Sequence, residues 1–504
     1  MIPYLVSAGA CRFGCLRGSS MAGLLFALLV SALGCGGEAG PTTPHGPDAP
    51  ATSETDASPP IEKKTGETPF FPTRQTTPDG EPLALTDYAS NQDCFRCHED
   101  IAEQWQGSMH SSAMTDPIFL ALYKIGSQET NGKTDKWCIG CHSSPAILSG
   151  KSAPQEIAGL PDPVNEGVSC VVCHSINEPN LKDKGDLPSN ASFISNPAGP
   201  IVGPHKGLKC LQRDKKTIQS DFRKSSEFCA SCHRLVHPWN GLVIERTYEE
   251  WRDSIYATRG IQCQDCHMQP VDKMVETAKT LKRADNPGKL TSRTPKRKHV
   301  YDHSFLGGNT AATEILGHHQ HRDMAVDMLQ NSASLELAVA DRAFADEIVQ
   351  LRIKVTNETA GHNLPTSLVE IRQMWLDVQV TDKDGKQIYR SGGLDAKGEI
   401  DPDAVVFHAV AVDEQGEPTV KPWEMASFTY SHAIPARGHT IERYAFQIPP
   451  GTPGPVTVKA ILKYRSLSQK LANELLGDEA PIVPVTDMET AAVTLMMMGD
   501  KGNE

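Results

Sequence analysis

The pattern of apolar and polar residues divides the chain into stretches of different character. Met21 to Leu33 is an unbroken apolar run, whereas Gly36 to about Pro82 shows no apolar periodicity. From about Leu83 onward apolar residues are scattered and form only short helical patterns. After about Ser332 short segments alternate apolar and polar residues with a period of two, which is typical of strands. The pattern therefore predicts two folded domains behind a non-globular N-terminal part.

The C-terminal part, residues 333–504, is predicted to be an antiparallel β-sandwich of immunoglobulin-like type. The dipeptide Asp384-Gly385 separates two of its strands and is typical of a hairpin turn. A short helical insertion is expected near residues 465–476. The predicted strands are Ser334 to Val339, Ile348 to Asn357, Ile371 to Val380, Gln387 to Arg390, Ala404 to Val412, Glu442 to Ile448, Val456 to Lys463 and Ala491 to Leu495.

The preceding region, residues 83–332, is expected to be mainly helical and loop-like. One helix is predicted from Glu99 to Met109, with Trp105 on its buried side, and another from Thr313 to Leu329. Thr247 to Glu250 fits a capping box that would open a third helix. Two segments share a frame, because Trp105-x-x-Ser108-x-His110 aligns with Trp251-x-x-Ser254-x-Tyr256.

Five copies of Cys-x-x-Cys-His lie in this region, and we number them motifs 1 to 5 in chain order. In c-type haem attachment, two such thiols bond covalently to the haem and the adjacent imidazole ligates the iron. Neither a zinc site nor a disulfide framework would place His directly after every Cys pair. The motifs predict five haems attached through Cys94 and Cys97, Cys138 and Cys141, Cys170 and Cys173, Cys229 and Cys232, and Cys263 and Cys266, with His98, His142, His174, His233 and His267 as proximal iron ligands.

The N-terminal 35 residues have the features of an export signal. The 13-residue apolar run is too short to span a hydrocarbon core of ~30 Å as a helix, but it suits a signal peptide. The run ends in Ala32-Leu33-Gly34-Cys35, which resembles a bacterial lipoprotein signal in which Cys35 is lipidated; ordinary cleavage near Gly34 is the alternative. Residues 36–82, with ten prolines, are predicted to be a disordered tether behind the anchor.

The net charge of −13 argues against nucleic acid as a partner. Against this background, Lys289 to Lys298 forms a basic stretch. It is interpreted as a solvated loop, with contact to haem propionates or to an acidic redox partner as the alternatives.

Several segments around the motifs resemble multihaem cytochromes of the cytochrome c-554 type. These are Glu103-x-Trp105-x-x-Ser108-x-His110-x-x-Ala113, Gly167–Cys170, Thr247–Ser254 before motif 5, and His303–Asn309 after it. The family is similar in part to the multihaem cores of hydroxylamine oxidoreductases. The resemblance covers about Asn91 to Asn309 and implies haems with two His ligands, packed in close pairs that pass electrons along a chain.

The ligand on the far side of each iron, the distal ligand, decides whether a haem relays electrons or binds a small molecule. The resemblance implies His110 and His303 as the first candidates. His362, in a Gly-His-x-x-Pro-Thr loop similar to one in some relatives, either caps a haem or stabilises a turn. The remaining candidates are His205 and, more weakly, His237 and His299.

These features predict an exported electron carrier on the periplasmic or cell-surface side of a bacterial membrane, held there by its lipid anchor. Expected partners are other cytochromes or a membrane quinol-linked complex. One alternative is an oxidoreductase in which a five-coordinate haem transforms a small nitrogen or sulfur compound. A second is an adaptor that acts through its β-sandwich.

Overall fold

The computed structural model describes residues 68–498, except 207, 211–214 and 478–479. The predicted signal peptide, the lipidation of Cys35 and the predicted tether up to residue 67 lie outside the described residues. No helix in the described part of the chain is long and apolar enough to cross a membrane.

The first half of the described chain is built from short helices joined by loops. The 3₁₀ helices are Leu85–Asp87 and Phe222–Lys224. The α-helices are Asn91–Phe95 (α1), Glu99–Gln106 (α2), Pro117–Glu129 (α3), Asp135–His142 (α4), Ser144–Leu148 (α5), Pro154–Ile157 (α6), Cys170–Ser175 (α7), Ser226–Ala230 (α8), Thr247–Arg252 (α9), Ile255–Thr258 (α10), Gln264–His267 (α11), Val271–Thr280 (α12), Thr310–Ile315 (α13) and His319–Gln330 (α14).

Short strand pairs lie between these helices. Ile176–Pro179 (β1) pairs with Phe193–Ser195 (β2), and Leu235–Val236 (β6) pairs with Val243–Glu245 (β7). Lys215–Gln219 (β5) lies between Ile201–Gly203 (β3) and Lys209–Cys210 (β4) and pairs with both.

The predicted helices are confirmed in position but not in every detail. The helix predicted from Glu99 ends at Gln106. The helix predicted from Thr313 to Leu329 is two helices, α13 and α14, because Gly317 between them has a φ of 72°, which breaks the helical path. The capping box at Thr247 is wrong, since the residue that caps α9 is Arg246 and no side chain accepts a capping hydrogen bond there.

Two larger sheets and one small sheet make up the second half of the described chain. Their elements are Ala333–Ala338 (β8), Arg342–Ala343 (β9), Ile348–Asn357 (β10), Gln373–Thr381 (β11), Gln387–Ser391 (β12), Val406–Phe407 (β13), Ala409–Val412 (β14), Ser427–Ser431 (β15), His439–Gln447 (β16), Val456–Arg465 (β17), the helix Gln469–Leu476 (α15) and Thr486–Met497 (β18). The small sheet consists of β14 and β15 alone. Of the two larger sheets, one has the order β16-β10-β8 and the other β12-β11-β17-β18-β9, with β13 on β11.

One hydrophobic core joins these two sheets. Val349, Leu351, Ile353 and Val355 alternate with exposed or half-buried residues along β10 and are buried. They belong to the same cluster as apolar residues of β11, β16 and β17. This is the packing that period-two alternation predicts. We call residues 333–498 the sheet region and residues 68–332 the motif region; both belong to one compact unit.

Every predicted strand overlaps an observed one, but the bounds differ; β18, for example, begins at Thr486 and not at Ala491. The stretch Ala404 to Val412 forms two short strands, β13 and β14. The sequence reading missed β9 and β15, since β9 has two residues and β15 is mostly exposed and lacks an apolar face. The helix predicted at 465–476 starts at Gln469, because Arg465 still pairs with β11 as the last residue of β17.

The end of the predicted tether, residues 68–82, is ordered and packed. Phe70 is 1% exposed, and Gln75 hydrogen-bonds both Gly140 and Ser144. Thr76 pairs with Ile194 as an isolated bridge. The prediction of disorder is therefore wrong for this stretch, whose apolar and amide side chains fill space beside motif 2.

Candidate functional site

A single helical turn in each motif gathers its three functional side chains. In motif 1 the backbone N–H of His98 donates to the carbonyl of Cys94, and the corresponding bonds in motifs 4 and 5 are 2.8 and 2.9 Å long. Positions i, i+3 and i+4 of a helix lie on one face. The two thiols and the imidazole of a motif therefore point to the same side.

The Nδ1 atom of every motif histidine faces an oxygen atom. In four motifs this oxygen is a backbone carbonyl at 2.7 to 2.9 Å: Leu290 for His98, Ala113 for His142, Val202 for His174 and Leu306 for His267. In motif 4 it is a carboxylate, because Oε1 of Glu245 lies 3.6 Å from Nδ1 of His233. Such a partner fixes the ring and leaves Nε2 available, as in histidines that ligate metals.

Burial keeps most of these rings neutral. It lowers the pKa of His142 and of His267 to about 4, and the pKa of His174 to about 3. His233 differs, because burial alone would lower its pKa, whereas the carboxylate of Glu245 raises it. A neutral imidazole is the form that ligates a metal.

Two motif histidines each face a second imidazole. The ring centres of His110 and His233 are 6.1 Å apart, and those of His362 and His267 are 6.0 Å apart with an angle of 13° between the rings. Metal–imidazole bonds are about 2 Å long. One metal ion bound between two Nε2 atoms would hold the ring centres roughly 6 Å apart.

Thiols of different motifs contact each other. Cys94 of motif 1 raises the pKa of Cys170 of motif 3, and Cys232 of motif 4 lowers the pKa of Cys141 of motif 2. Cys229 of motif 4 likewise lowers the pKa of Cys263 of motif 5. Motif 3 lies near motif 4, because Cys173 raises the pKa of both Cys229 and Cys232. The five motifs thus form one connected series.

Comparisons with known proteins agree with this geometry. The family described as cytochrome c554 and c-prime matches residues 93–175, which include motifs 1 to 3. A penta-heme cytochrome c552 from Thermochromatium tepidum has a similar structure, with a TM-score of 0.58 and 20% sequence identity over 81% of this chain and 99% of that one. The two matches support a multihaem c-type cytochrome.

Other comparisons add nothing to this assignment. A CARDB domain from Pyrococcus furiosus, 8% identical over 33% of this chain and 87% of that one, has a TM-score of 0.16. A beta-glucosidase from Listeria innocua, 9% identical over 33% of this chain and 16% of that one, has a TM-score of 0.13. Neither likeness is close enough to bear on the fold. No curated protein matches the chain.

The thiols and imidazoles of the five motifs fit covalently bound haem c. Each motif offers two thiols and an imidazole whose Nδ1 faces an oxygen, and two motifs have a second imidazole at the distance that shared iron requires. When bound, the haem supplies one-electron chemistry at its iron.

The two segments aligned in the sequence have the same local structure; we call Trp105–His110 the first frame and Trp251–Tyr256 the second frame. Nε1 of each Trp donates to the carbonyl of the second residue before a motif, Val168 or Ile261. The backbone N–H of that same residue donates to the carbonyl of His110 or Tyr256. The frames therefore place one motif each, motif 3 and motif 5.

His303 is buried within reach of two motifs. Burial lowers its pKa to about 4, and its Nδ1 lies 3.1 Å from the carbonyl of Tyr301. It influences the pKa of His174 and is itself influenced by His98. This location places the candidate His303 near motifs 1 and 3, a pairing that the sequence did not predict.

The remaining candidates are placed differently. His205 is half-buried, and burial is the main reason that its pKa is lowered; the nearby cations Arg297 and Lys224 lower it further. His299 packs edge-on against Tyr301. The structure contradicts His237 as a distal-ligand candidate, because both its ring nitrogens already take part in hydrogen bonds. Its Nδ1 accepts from two backbone N–H groups, and its Nε2 lies 3.3 Å from the carbonyl of Trp423.

The sheet region contributes to the haem site beyond His362. Ser367 donates to Oε1 of Glu245, the carboxylate that faces His233. Glu250 accepts from the hydroxyl of Thr366 and from the backbone N–H of Asn363. The sequence reading missed Glu245 and Ser367, since nothing in sequence marks a contact across 122 residues.

Proposed function

We propose that the protein carries five haems c and relays electrons between them by outer-sphere transfer. The continuous series of neighbouring motifs carries the proposal: motif 1 lies beside motif 3, motif 3 lies near motif 4, and motif 4 lies beside motifs 2 and 5. Each haem would be bonded to the thiols of its own motif. Contacts between the thiols therefore bring neighbouring haems close together.

The residues would divide the work of holding the haems. The ten motif cysteines attach them, and the five motif histidines are the proximal ligands. His110 is proposed as the distal ligand at motif 4 and His362 at motif 5, on the ring distances given above. His303 would serve motif 1 or motif 3, and His205 remains a candidate there. Six-coordinate irons of this kind suit electron transfer.

The number of haems and their coordination can be measured together. The mass of the protein, produced in a haem-attaching host, should correspond to five covalent haems. Electron paramagnetic resonance of the oxidised protein should then assign low-spin signals to the haems at motifs 4 and 5. Fewer than five haems, or high-spin irons at those two motifs, would contradict the proposal.

A second candidate function is catalysis at motif 2. In the described part of the chain no histidine faces His142 in the way that His110 faces His233; its ring instead stacks on Phe119 at 3.5 Å between centres. A five-coordinate haem there could transform a small nitrogen or sulfur compound. Rapid, stoichiometric binding of carbon monoxide to one haem of the reduced protein would favour the enzyme, and its absence would favour the relay.

The surroundings of the relay are part of the proposal. We expect export, a lipid on Cys35 and a redox partner that is another cytochrome or a membrane quinol-linked complex. The two sheets with their shared core support an immunoglobulin-like sandwich, and the contacts of Ser367 with Glu245 and of Thr366 with Glu250 argue against a detachable adaptor. Replacing Cys35 with Ser should move the protein from the membrane fraction to the soluble fraction.

A further inference from the structure

An ordered basic loop lies directly beside motif 1. Gly288 and Arg297 close it with two backbone hydrogen bonds of 3.2 and 2.7 Å, and the hydroxyl of Thr294 accepts from the N–H groups of Leu290 and Thr291. The carbonyl of Leu290 faces Nδ1 of His98 at 2.7 Å. The backbone of this loop therefore supports the proximal histidine of motif 1, while its side chains are free for another role.

The attachment turn of motif 1 is the most exposed of the five, although in motif 4 the ring of His233 is itself exposed. Its cysteine Cys97 is exposed, whereas the other nine motif cysteines are partly buried. Arg96, between the two thiols, is also exposed. Each of the other motifs buries at least one of its two intervening residues, namely Ile139 and Gly140, Val172, Ala230 and Ser231, and Gln264 and Asp265. The turn that attaches a haem at motif 1 would therefore leave the thioether edge of that haem open to solvent.

The loop presents positive charges that no carboxylate of the described residues neutralises. Lys289, Arg293 and Lys296 are exposed, and among the described residues no carboxylate lies within ion-pair distance of them. Lys298 pairs with Asp285 at 3.4 Å. Since the chain carries a net charge of −13, this concentration of cations differs from the rest of the molecule. Such a patch attracts a partner of opposite charge.

We propose that an acidic one-electron redox protein docks on Lys289, Arg293 and Lys296 and exchanges electrons with the haem at motif 1. This inference rests on the relay proposed above and names its port. In the exchange one electron passes from the reduced partner to the haem at motif 1, where ferric iron would become ferrous. The partner is thereby oxidised by one electron. No bond is made or broken and no proton is required. Exposed Glu99 and Asp100, directly after motif 1, limit the extent of the positive surface.

The test uses reduced flavodoxin, an acidic one-electron donor, as the probe in stopped-flow reduction of the oxidised full-length protein. The variant Arg293→Glu/Lys296→Glu leaves Leu290 and its bond to His98 intact. At low ionic strength we expect its second-order rate constant to fall at least about tenfold, and its dependence on salt to flatten. The matched control, Lys386→Glu/Lys397→Glu, makes the same charge change at exposed positions of the sheet region and should stay within about twofold of wild type.

The outcomes separate the port from the relay. If the loop variant reacts as fast as wild type, or if the control slows equally, the docking proposal is wrong. Electron paramagnetic resonance of the loop variant should equal that of wild type, which excludes damage to motif 1. The relay is tested in the same traces, because every attached haem should become reduced whatever the entry rate. Reduction that stops at one haem would contradict the relay itself.

Discussion

Two pairs of facing imidazole rings reach the same spacing from different parts of the chain. His110 comes from the first frame, inside the motif region, and faces His233. His362 comes from a loop of the sheet region and faces His267. The second frame has Tyr256 where the first has His110, and Tyr256 packs against Gly361, the residue before His362, where an added Cβ would lie 3.3 Å from its ring. A repeated local structure can therefore keep its hydrogen bonds while a distant segment supplies the facing imidazole.

The pairs also differ in what surrounds each ring. Nδ1 of His362 bonds the carbonyl of Asn363 at 2.8 Å, whereas Nδ1 of His110 is buried and has no hydrogen-bond partner among the described residues. On the opposite side, His267 faces a carbonyl and His233 faces a carboxylate. A carboxylate gives the ring more negative character than a carbonyl does, so the two haems should differ in potential.

Removal of either proposed distal ligand, His110 or His362, should have the largest effect. His110→Ala and His362→Ala should each convert one low-spin haem to a high-spin haem, because an iron would lose one of its two imidazoles. Electron paramagnetic resonance and carbon monoxide binding would measure this, with the exposed His439→Ala as control. The double variant should show two such haems. Unchanged spectra would exclude these histidines as ligands.

The two frames should be equally important for stability. Trp105→Phe and Trp251→Phe each remove an indole N–H and leave a carbonyl, of Val168 or Ile261, without that partner. Each should lower the free energy of unfolding by about 1–3 kcal/mol, measured as a lower urea midpoint of the holoprotein. If only one variant is destabilised, the frames are not equivalent.

The carboxylate beside His233 should lower the potential of one haem. Glu245→Gln replaces it with a neutral amide of similar size, so one midpoint potential should rise by roughly 60 mV, which corresponds to about 1.4 kcal/mol. Spectroelectrochemical titration of all haems would detect this. Glu245→Asp keeps the negative charge and should therefore have a potential close to that of wild type. A rise in several potentials in Glu245→Gln would indicate a general disturbance of the protein.

The smallest effect is expected for the loss of the Tyr256 hydroxyl in the second frame. The hydroxyl of Tyr256 donates to the carbonyl of Ala278 at 3.2 Å, and that carbonyl also accepts from Arg437. Tyr256→Phe should therefore cost only about 1 kcal/mol of unfolding free energy and leave the haem spectra unchanged. A new high-spin signal in this variant would show that Tyr256 positions His362 more directly than packing alone.

The sequence predicted features that depend on neighbouring residues and missed those that depend on distant contacts. The motifs, the first frame with His110 and the strands of the sheet region are local patterns, and the structure agrees with them. His362 was a candidate only through its loop, because its contact with His267 joins two regions far apart in the chain. Glu245 lacked any local signal, and the apolar pattern from Thr313 to Leu329 hid the break at Gly317.

The position of His362 late in the chain has a consequence for biogenesis. A ribosome makes motif 5 almost a hundred residues before it makes the histidine that faces it. During that interval an iron at motif 5 would have the imidazole of His267 as its only histidine ligand. The imidazole of His362 would join it once the sheet region has folded against the motif region. The spin state of this one haem would then act as a built-in reporter of assembly, and a truncated or misfolded chain would be visible by its colour.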